Sequence, residues 1–170
     1  MPNNPIYYKS DKTGKATKSA FYLTSEQAKI MKAAADKMEM PEGLRKAFYM
    51  TPFAEAGITT TIDGTQVFTP NNSAESTKDA VGPFQFIKST ADMLGLKDRT
   101  DFRQSAFASA KYMRNNYDLA VIRGEENPAD AASVYYNRGP RDSYNTGKKT
   151  DRVLPKETRQ YLTRKHMNNE

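Results

Sequence analysis

The chain has 170 residues, 37% of them hydrophobic and 27% charged, with 26 Lys and Arg against 20 Asp and Glu for a formal charge of +6. That length suits one domain with its own core, and 10 Tyr, 8 Phe and 8 Met are enough large apolar groups to exclude global disorder. There is no Cys and a single histidine, His166, so disulfides and thiolate chemistry are excluded and the ligands of a zinc site are missing.

The positive charge favours a polyanionic neighbour, whether nucleic acid, an anionic membrane surface or an acidic wall polymer. Lys and Arg are scattered, without a block of five or six, whereas nucleic-acid readers concentrate them on one face or arm; specific nucleic-acid recognition is not expected. No segment is long and apolar enough to span a bilayer, so no membrane span is expected. The Lys residues near the start have no apolar run behind them, unlike a secretory signal.

Residues 1–20 mix Pro2, Pro5 and Gly14 with Lys9, Lys12, Lys15 and Lys18. They read as a flexible basic N-terminal arm, either solvated or held by a partner. Thr24 followed by Gln27 is a capping-box pattern, and Ala28, Met31, Ala35 and Met38 then recur at helical spacing, so a first helix follows Thr24. Pro41 suits the first position of a second helix whose inner stripe is Leu44, Ala47, Phe48 and Thr51, and Pro52 is expected to bend or interrupt it. If the helix resumes, Glu55 lies three turns beyond Leu44 and its carboxylate points to the side of the apolar stripe.

Ile58 to Ile62, Asp63-Gly64 and Thr65 to Phe68 form the pattern of a β-hairpin with a type I′ turn. A polar loop carrying Pro70, Asn71 and Asn72 leads to helical signals near Pro83, with Phe84, Ile87, Ala91 and Leu94 as the apolar face and Gly95 as the stop. Phe102, Ala106, Ala110, Met113 and Tyr117 mark a long amphipathic helix. Asn127-Pro128 starts another, Gly139-Pro140 ends it, and Leu154-Pro155 opens a last helix carrying Tyr161 and Leu162. The fold class is α+β and mostly α: about six helices and one β-hairpin.

The sequence lacks a Gly-x-Ser-x-Gly elbow and a His-Glu-x-x-His pair, and Gly147-Lys-Lys-Thr150 lacks the upstream glycine of a phosphate loop. What remains is carboxylate chemistry, in which a carboxyl held partly away from water keeps its proton long enough to donate it near neutrality. Glu55, at a helix end beside a hairpin, fits that description. Position alone leaves it equally a surface carboxylate at a helix end.

The segment Gly82-Pro-Phe-Gln85, followed by Thr90-Ala91 and Leu94-Gly95, resembles the Gly-Leu-Met-Gln, Thr-Ala and Leu-Gly pattern of the soluble lytic transglycosylase family. Tyr136-Asn137-Arg138-Gly139-Pro140 looks like that family's Tyr-Asn-x-Gly-Pro element. Leu154-Pro155-Lys-Glu157-Thr158-Arg-Gln-Tyr161 is similar to its Leu-Pro-x-Glu-Thr-x-x-Tyr ending. The three occur in family order and span from about Pro41 to Lys165.

The resemblance implies a lysozyme-like domain over residues 21–170, with the hairpin beside the active-site cleft. It makes Glu55 the catalytic acid and then base, Gln85 and Asn137 cleft residues that meet substrate, and Tyr136 and Tyr161 groups beside the carboxylate. It implies no cofactor and no metal. Read without the motifs, Gln85 is an ordinary helix-start residue, Tyr136 a core aromatic and Tyr161 simple packing. Two departures stand out: Ala56 follows Glu55 where the family has Ser, and Pro-Phe replaces Leu-Met before Gln85. Glu75-Ser76 offers the missing Glu-Ser pair from the polar loop, which keeps Glu75 as a second candidate.

The implied partners are peptidoglycan glycan strands, cleaved between N-acetylmuramic acid and N-acetylglucosamine with a 1,6-anhydro product. A hydrolytic lysozyme is the alternative; it needs a second carboxylate to activate water, for which Asp63 is the candidate, although Asp before Gly is also what a type I′ turn selects. A third reading is an inactive lysozyme-like structural or binding protein of a virion or secretion apparatus. The expected setting is a bacteriophage particle, carried to the host wall or periplasm, with residues 1–20 available to other virion proteins; release from the host cytoplasm at lysis is the other setting.

Overall fold

The computed structural model describes residues 6–10, 17–62 and 65–140. The chain is α+β and mostly helical, with five helices among the described residues: α1 (Ser25–Lys37), α2 (Glu42–Ala56), α3 (Lys88–Leu94), α4 (Phe102–Ile122) and α5 (Pro128–Arg138). The strands are β1 (Ile6–Ser10), β2 (Thr17–Phe21), β3 (Gly57–Ile62) and β4 (Thr65–Pro70), in one sheet of order β1-β2-β4-β3. The expected last helix from Leu154 and His166 lie outside the described residues.

The sheet is larger than the sequence patterns anticipate. β3 and β4 form the expected antiparallel hairpin, with Ile62 opposite Thr65, while its turn at Asp63-Gly64 lies outside the described residues. Within residues 1–20, expected as a flexible arm, β1 pairs antiparallel with β2, and β2 runs parallel to β4 with Phe21 opposite Phe68. Ile6-Tyr7-Tyr8 carries β-branched and aromatic types that suit a strand, and the pairing partner is too distant in sequence for a local pattern to announce it. Phe21 stacks on Phe68 with ring centroids 4.9 Å apart and meets Phe53 edge-on at 5.3 Å. The first contact joins neighbouring strands within the sheet, and the second docks the sheet on α2.

α1 begins at the predicted capping box, where Thr24 Oγ1 accepts from Gln27 N at 3.1 Å and Thr24 N donates to Gln27 Oε1 at 3.0 Å. α2 follows its predicted stripe, for Leu44, Ala47, Phe48 and Thr51 are all buried. A fully buried Leu or Phe contributes about 1.5–3 kcal/mol, so this face holds α2 in place. Two expectations for α2 change. Pro41 is the N-cap and not the first helical residue, and the helix continues through Pro52 to Ala56. Pro52 removes one backbone donor, but its ring is fully buried, and the Thr51 hydroxyl donates to Ala47 O at 3.0 Å. Packing thus outweighs the local preference and carries α2 on to Glu55.

The third helix starts later than predicted. Phe84 and Phe86 are buried, yet they belong to an irregular segment bridged at Glu75 to Val81 and Val81 to Phe86, and α3 begins only after Ile87. Ile87, expected on the apolar face, is 43% exposed. The reason is the left-handed backbone at Gln85 (φ 52), which turns the chain before a helix can form. α4 and α5 start at Asp101 and Asn127, whose side chains accept from Gln104 N and Asp130 N. The main core gathers Met31, Leu44, Phe48, Phe84, Phe102 and Met113 between α1, α2 and α4.

Candidate active site

A cleft of about 550 Å³ opens where the last turn of α2, the irregular segment before α3 and the last turn of α5 converge. Four residues singled out in the sequence line it together: Glu55, Gln85, Tyr136 and Asn137. Thirty residues separate Glu55 from Gln85 and a further fifty-one reach Tyr136, so the fold and not chain proximity assembles them.

Glu55 continues the buried stripe of α2, one turn beyond Thr51. The side chain is partly exposed as a whole, but its Oε1 atom is shut off from solvent. One end of the carboxyl is therefore packed against protein while the group still faces the cleft.

Gln85 is held firmly. Its Nε2 donates to Gly82 O at 2.8 Å and to Ala74 O at 3.1 Å, which occupies both amide hydrogens. The remaining amide oxygen is an acceptor. Arg99 fixes the same segment from outside, donating to Asp79 O at 2.9 Å and Phe86 O at 3.0 Å. Ser105 Oγ donates in turn to Arg99 O at 2.9 Å.

Tyr136 is 8% exposed, and its hydroxyl donates to Phe84 O at 3.0 Å and lies 3.1 Å from Ser109 Oγ. Its ring packs against Tyr112 at 5.2 Å and Phe86 at 5.9 Å. All three aromatics line the cleft, giving it an apolar wall suited to the C–H face of a sugar ring. Burial pushes the Tyr112 phenol up from its ordinary value, with the Asn116 amide beside it opposing.

The other candidates fall elsewhere. Glu75 is exposed on the polar loop and is not among the residues lining the cleft. Asp63 and Tyr161 lie outside the described residues. Among the described residues no group of three His, Asp or Glu is arranged to hold a metal ion, and no helix is long and apolar enough to cross a membrane.

The sequence reading gave no site role to Tyr112, Thr90, Lys78 or Arg138, which also line the cleft, although Thr90 and Arg138 lie within the resemblance motifs. A signal for Tyr112 was present. Ser105, Ser109 and Asn116 are buried polar residues of α4 at helical spacing, and Tyr112 sits on the same line beside the apolar stripe. Lys78 and Arg138 carry no such signal, because a lone cation in a polar loop or a helix end is ordinary surface. Set against known protein families, curated proteins and solved structures, the chain matches none.

Proposed function

We propose that the chain is a lysozyme-like enzyme that cleaves the β-1,4 bond between N-acetylmuramic acid and N-acetylglucosamine in peptidoglycan by lytic transglycosylation. The observation that carries this reading is the convergence of Glu55, Gln85, Tyr136 and Asn137 on one cleft, in which Glu55 is the one carboxylate among the described residues. Hydrolysis with inversion needs a second carboxylate across the sugar to activate water. Intramolecular closure does not.

Glu55 donates its proton to the glycosidic oxygen as the bond from that oxygen to muramic C1 breaks, releasing the GlcNAc 4-hydroxyl. The substrate's own acetamide oxygen bonds to C1 and stabilises the positive centre. The Glu55 carboxylate then takes the proton of the muramic C6 hydroxyl, whose oxygen attacks C1 and displaces the acetamide. A 1,6-anhydro ring results, and Glu55 ends protonated, ready for the next bond. A carboxyl with one oxygen packed away from solvent and the group lining the cleft is placed to give a proton and to take one back. Gln85 and Asn137 supply polar contacts to the strand, and the aromatic wall takes a sugar face.

The test is mass spectrometry of the fragments released from purified peptidoglycan, run beside Glu55→Gln. We expect 1,6-anhydro ends, reduced about a hundredfold or more in the variant, the scale of a general acid–base contribution. Reducing ends would instead assign hydrolysis and make Asp63→Asn the next variant. Strand binding by both forms with no products would assign a binding module.

A further inference from the structure

Two cations face the cleft from separate elements, Lys78 on the loop before α3 and Arg138 on the last turn of α5. Elsewhere the cations near acids are engaged: Lys32 and Arg45 with Asp36, Lys88 with Asp92, Arg114 with Asp118. Asp79, next to Lys78 in sequence, is turned to Arg99 at 3.9 Å. Among the described residues neither Lys78 nor Arg138 forms an ion pair.

The loop also fixes where Lys78 sits. Ser76 Oγ accepts from the backbone N–H of Lys78 at 3.2 Å and of Ala80 at 3.0 Å, and Arg99 holds Asp79 O. Among the described residues the lining holds one acid, Glu55, and two cations, an excess of positive charge. Sugar hydroxyls and acetamides are neutral and are met by neutral groups such as Gln85, Asn137 and Thr90. Two cations that form no ion pair among the described residues are complementary to a ligand that brings its own negative charge.

Resting on the glycan-cleaving reading, we propose that Lys78 and Arg138 recognise a carboxylate carried on the 3-oxygen substituent of the muramic residue, and thereby select wall glycan over uncharged N-acetylglucosamine polymers. The carboxylate has two sources. It is the lactyl group itself in a strand stripped of peptide, or an acidic residue of the stem peptide where the lactyl carboxyl is amidated.

The experiment is calorimetric titration of the full chain, in the Glu55→Gln form so that nothing turns over. Three glycans of matched length are used: an N-acetylglucosamine oligomer, a peptide-free wall strand and a peptide-bearing wall strand. The charged strands should bind about fivefold more tightly than the neutral oligomer, the scale of two partly exposed ion pairs, and added salt should shrink that ratio. The ratio should collapse in Lys78→Gln/Arg138→Gln and persist in the charge-keeping Lys78→Arg/Arg138→Lys, which controls for folding. Preference for the peptide-free strand assigns the lactyl carboxylate; preference for the peptide-bearing strand alone assigns the peptide. Equal binding of neutral and charged strands, or a ratio that survives removal of both cations, overturns the inference and leaves the glycan reading standing. Binding of no glycan at all removes the glycan reading, and this inference with it.

Discussion

The Tyr136 hydroxyl donates to the backbone carbonyl of Phe84 at 3.0 Å across 52 residues of sequence, tying the last turn of α5 to the segment that presents Gln85. The same hydroxyl lies 3.1 Å from Ser109 Oγ on α4, so one buried phenol fixes three elements at the back of the cleft. Tyr136→Phe keeps the ring and deletes the hydroxyl. Leaving a buried carbonyl and a buried hydroxyl short of a partner costs about 1–3 kcal/mol, which urea unfolding reads as a lower midpoint with an unchanged slope. On the proposed function, release of wall fragments should fall as well, because Gln85 and Asn137 then lose their common anchor.

Gly82 is the other fixed point of that segment. Its backbone is left-handed (φ 88), and a Cβ built on it would lie 1.7 Å from Arg99 O. Gly82→Ala therefore meets a backbone clash and a conformational penalty together, and the segment has to move. A destabilisation of about 2 kcal/mol or more is expected, read as a fall in the thermal midpoint. Gly95→Ala is the matched control: it has positive φ (70) with nothing within 4 Å of the added carbon, so it should cost about 1 kcal/mol from conformation alone.

What was legible in the sequence follows from the range of the forces involved. Caps, turns and stripes are local, so the Thr24 box, the Leu44 to Thr51 face and the β3–β4 hairpin could be read directly. Glu55 continues an apolar stripe, an unusual place for a carboxylate, but that position left a surface carboxylate an equal reading, and only the resemblance motifs singled Glu55 out. The resemblance motifs pointed to Gln85, Tyr136 and Asn137, and the fold brings those three to one cleft with Glu55. The parallel pairing of β2 with β4 was not legible, since it joins residues such as Phe21 and Phe68 that no local pattern relates. The passage of α2 through Pro52 was hidden for the same reason, because tertiary burial there overrides a strong local breaker.

Asp36 gives an acid-side prediction. Its carboxyl is held below its usual value by hydrogen bonds first from Lys32 and then from Arg45, at 2.7 Å and 2.6 Å. A carboxyl depressed in the folded chain contributes stability that is present above the unfolded value of 3.8 and is lost as the pH falls through the lower folded value. Asp36→Asn should therefore melt below the parent near neutrality, and the gap should close in acid below 3.8. The pairs are exposed, so added salt should narrow the gap near neutrality as well. A gap that stays constant across the acid range would show that packing, and not charge, separates the two proteins.

Tyr112 gives the alkaline counterpart. Burial beside Phe86 and Tyr136 raises its phenol above the ordinary 10.0, against the opposing hydrogen bond of Asn116. The neutral form is the one the fold favours. Stability from that preference is complete below the unfolded value of 10.0 and is lost as the pH rises from there through the raised folded value. Tyr112→Phe cannot ionise, so its thermal midpoint should decline less steeply than the parent's above 10.0. Other tyrosines are present in both proteins and cancel in the difference, except where Tyr136, whose ring touches Tyr112, responds to the change. Ultraviolet titration separates these cases: the variant should lose one late-ionising phenol. If its titration lacks an ordinary phenol instead, Tyr112 is in contact with water and the aromatic wall is looser than its ring contacts imply.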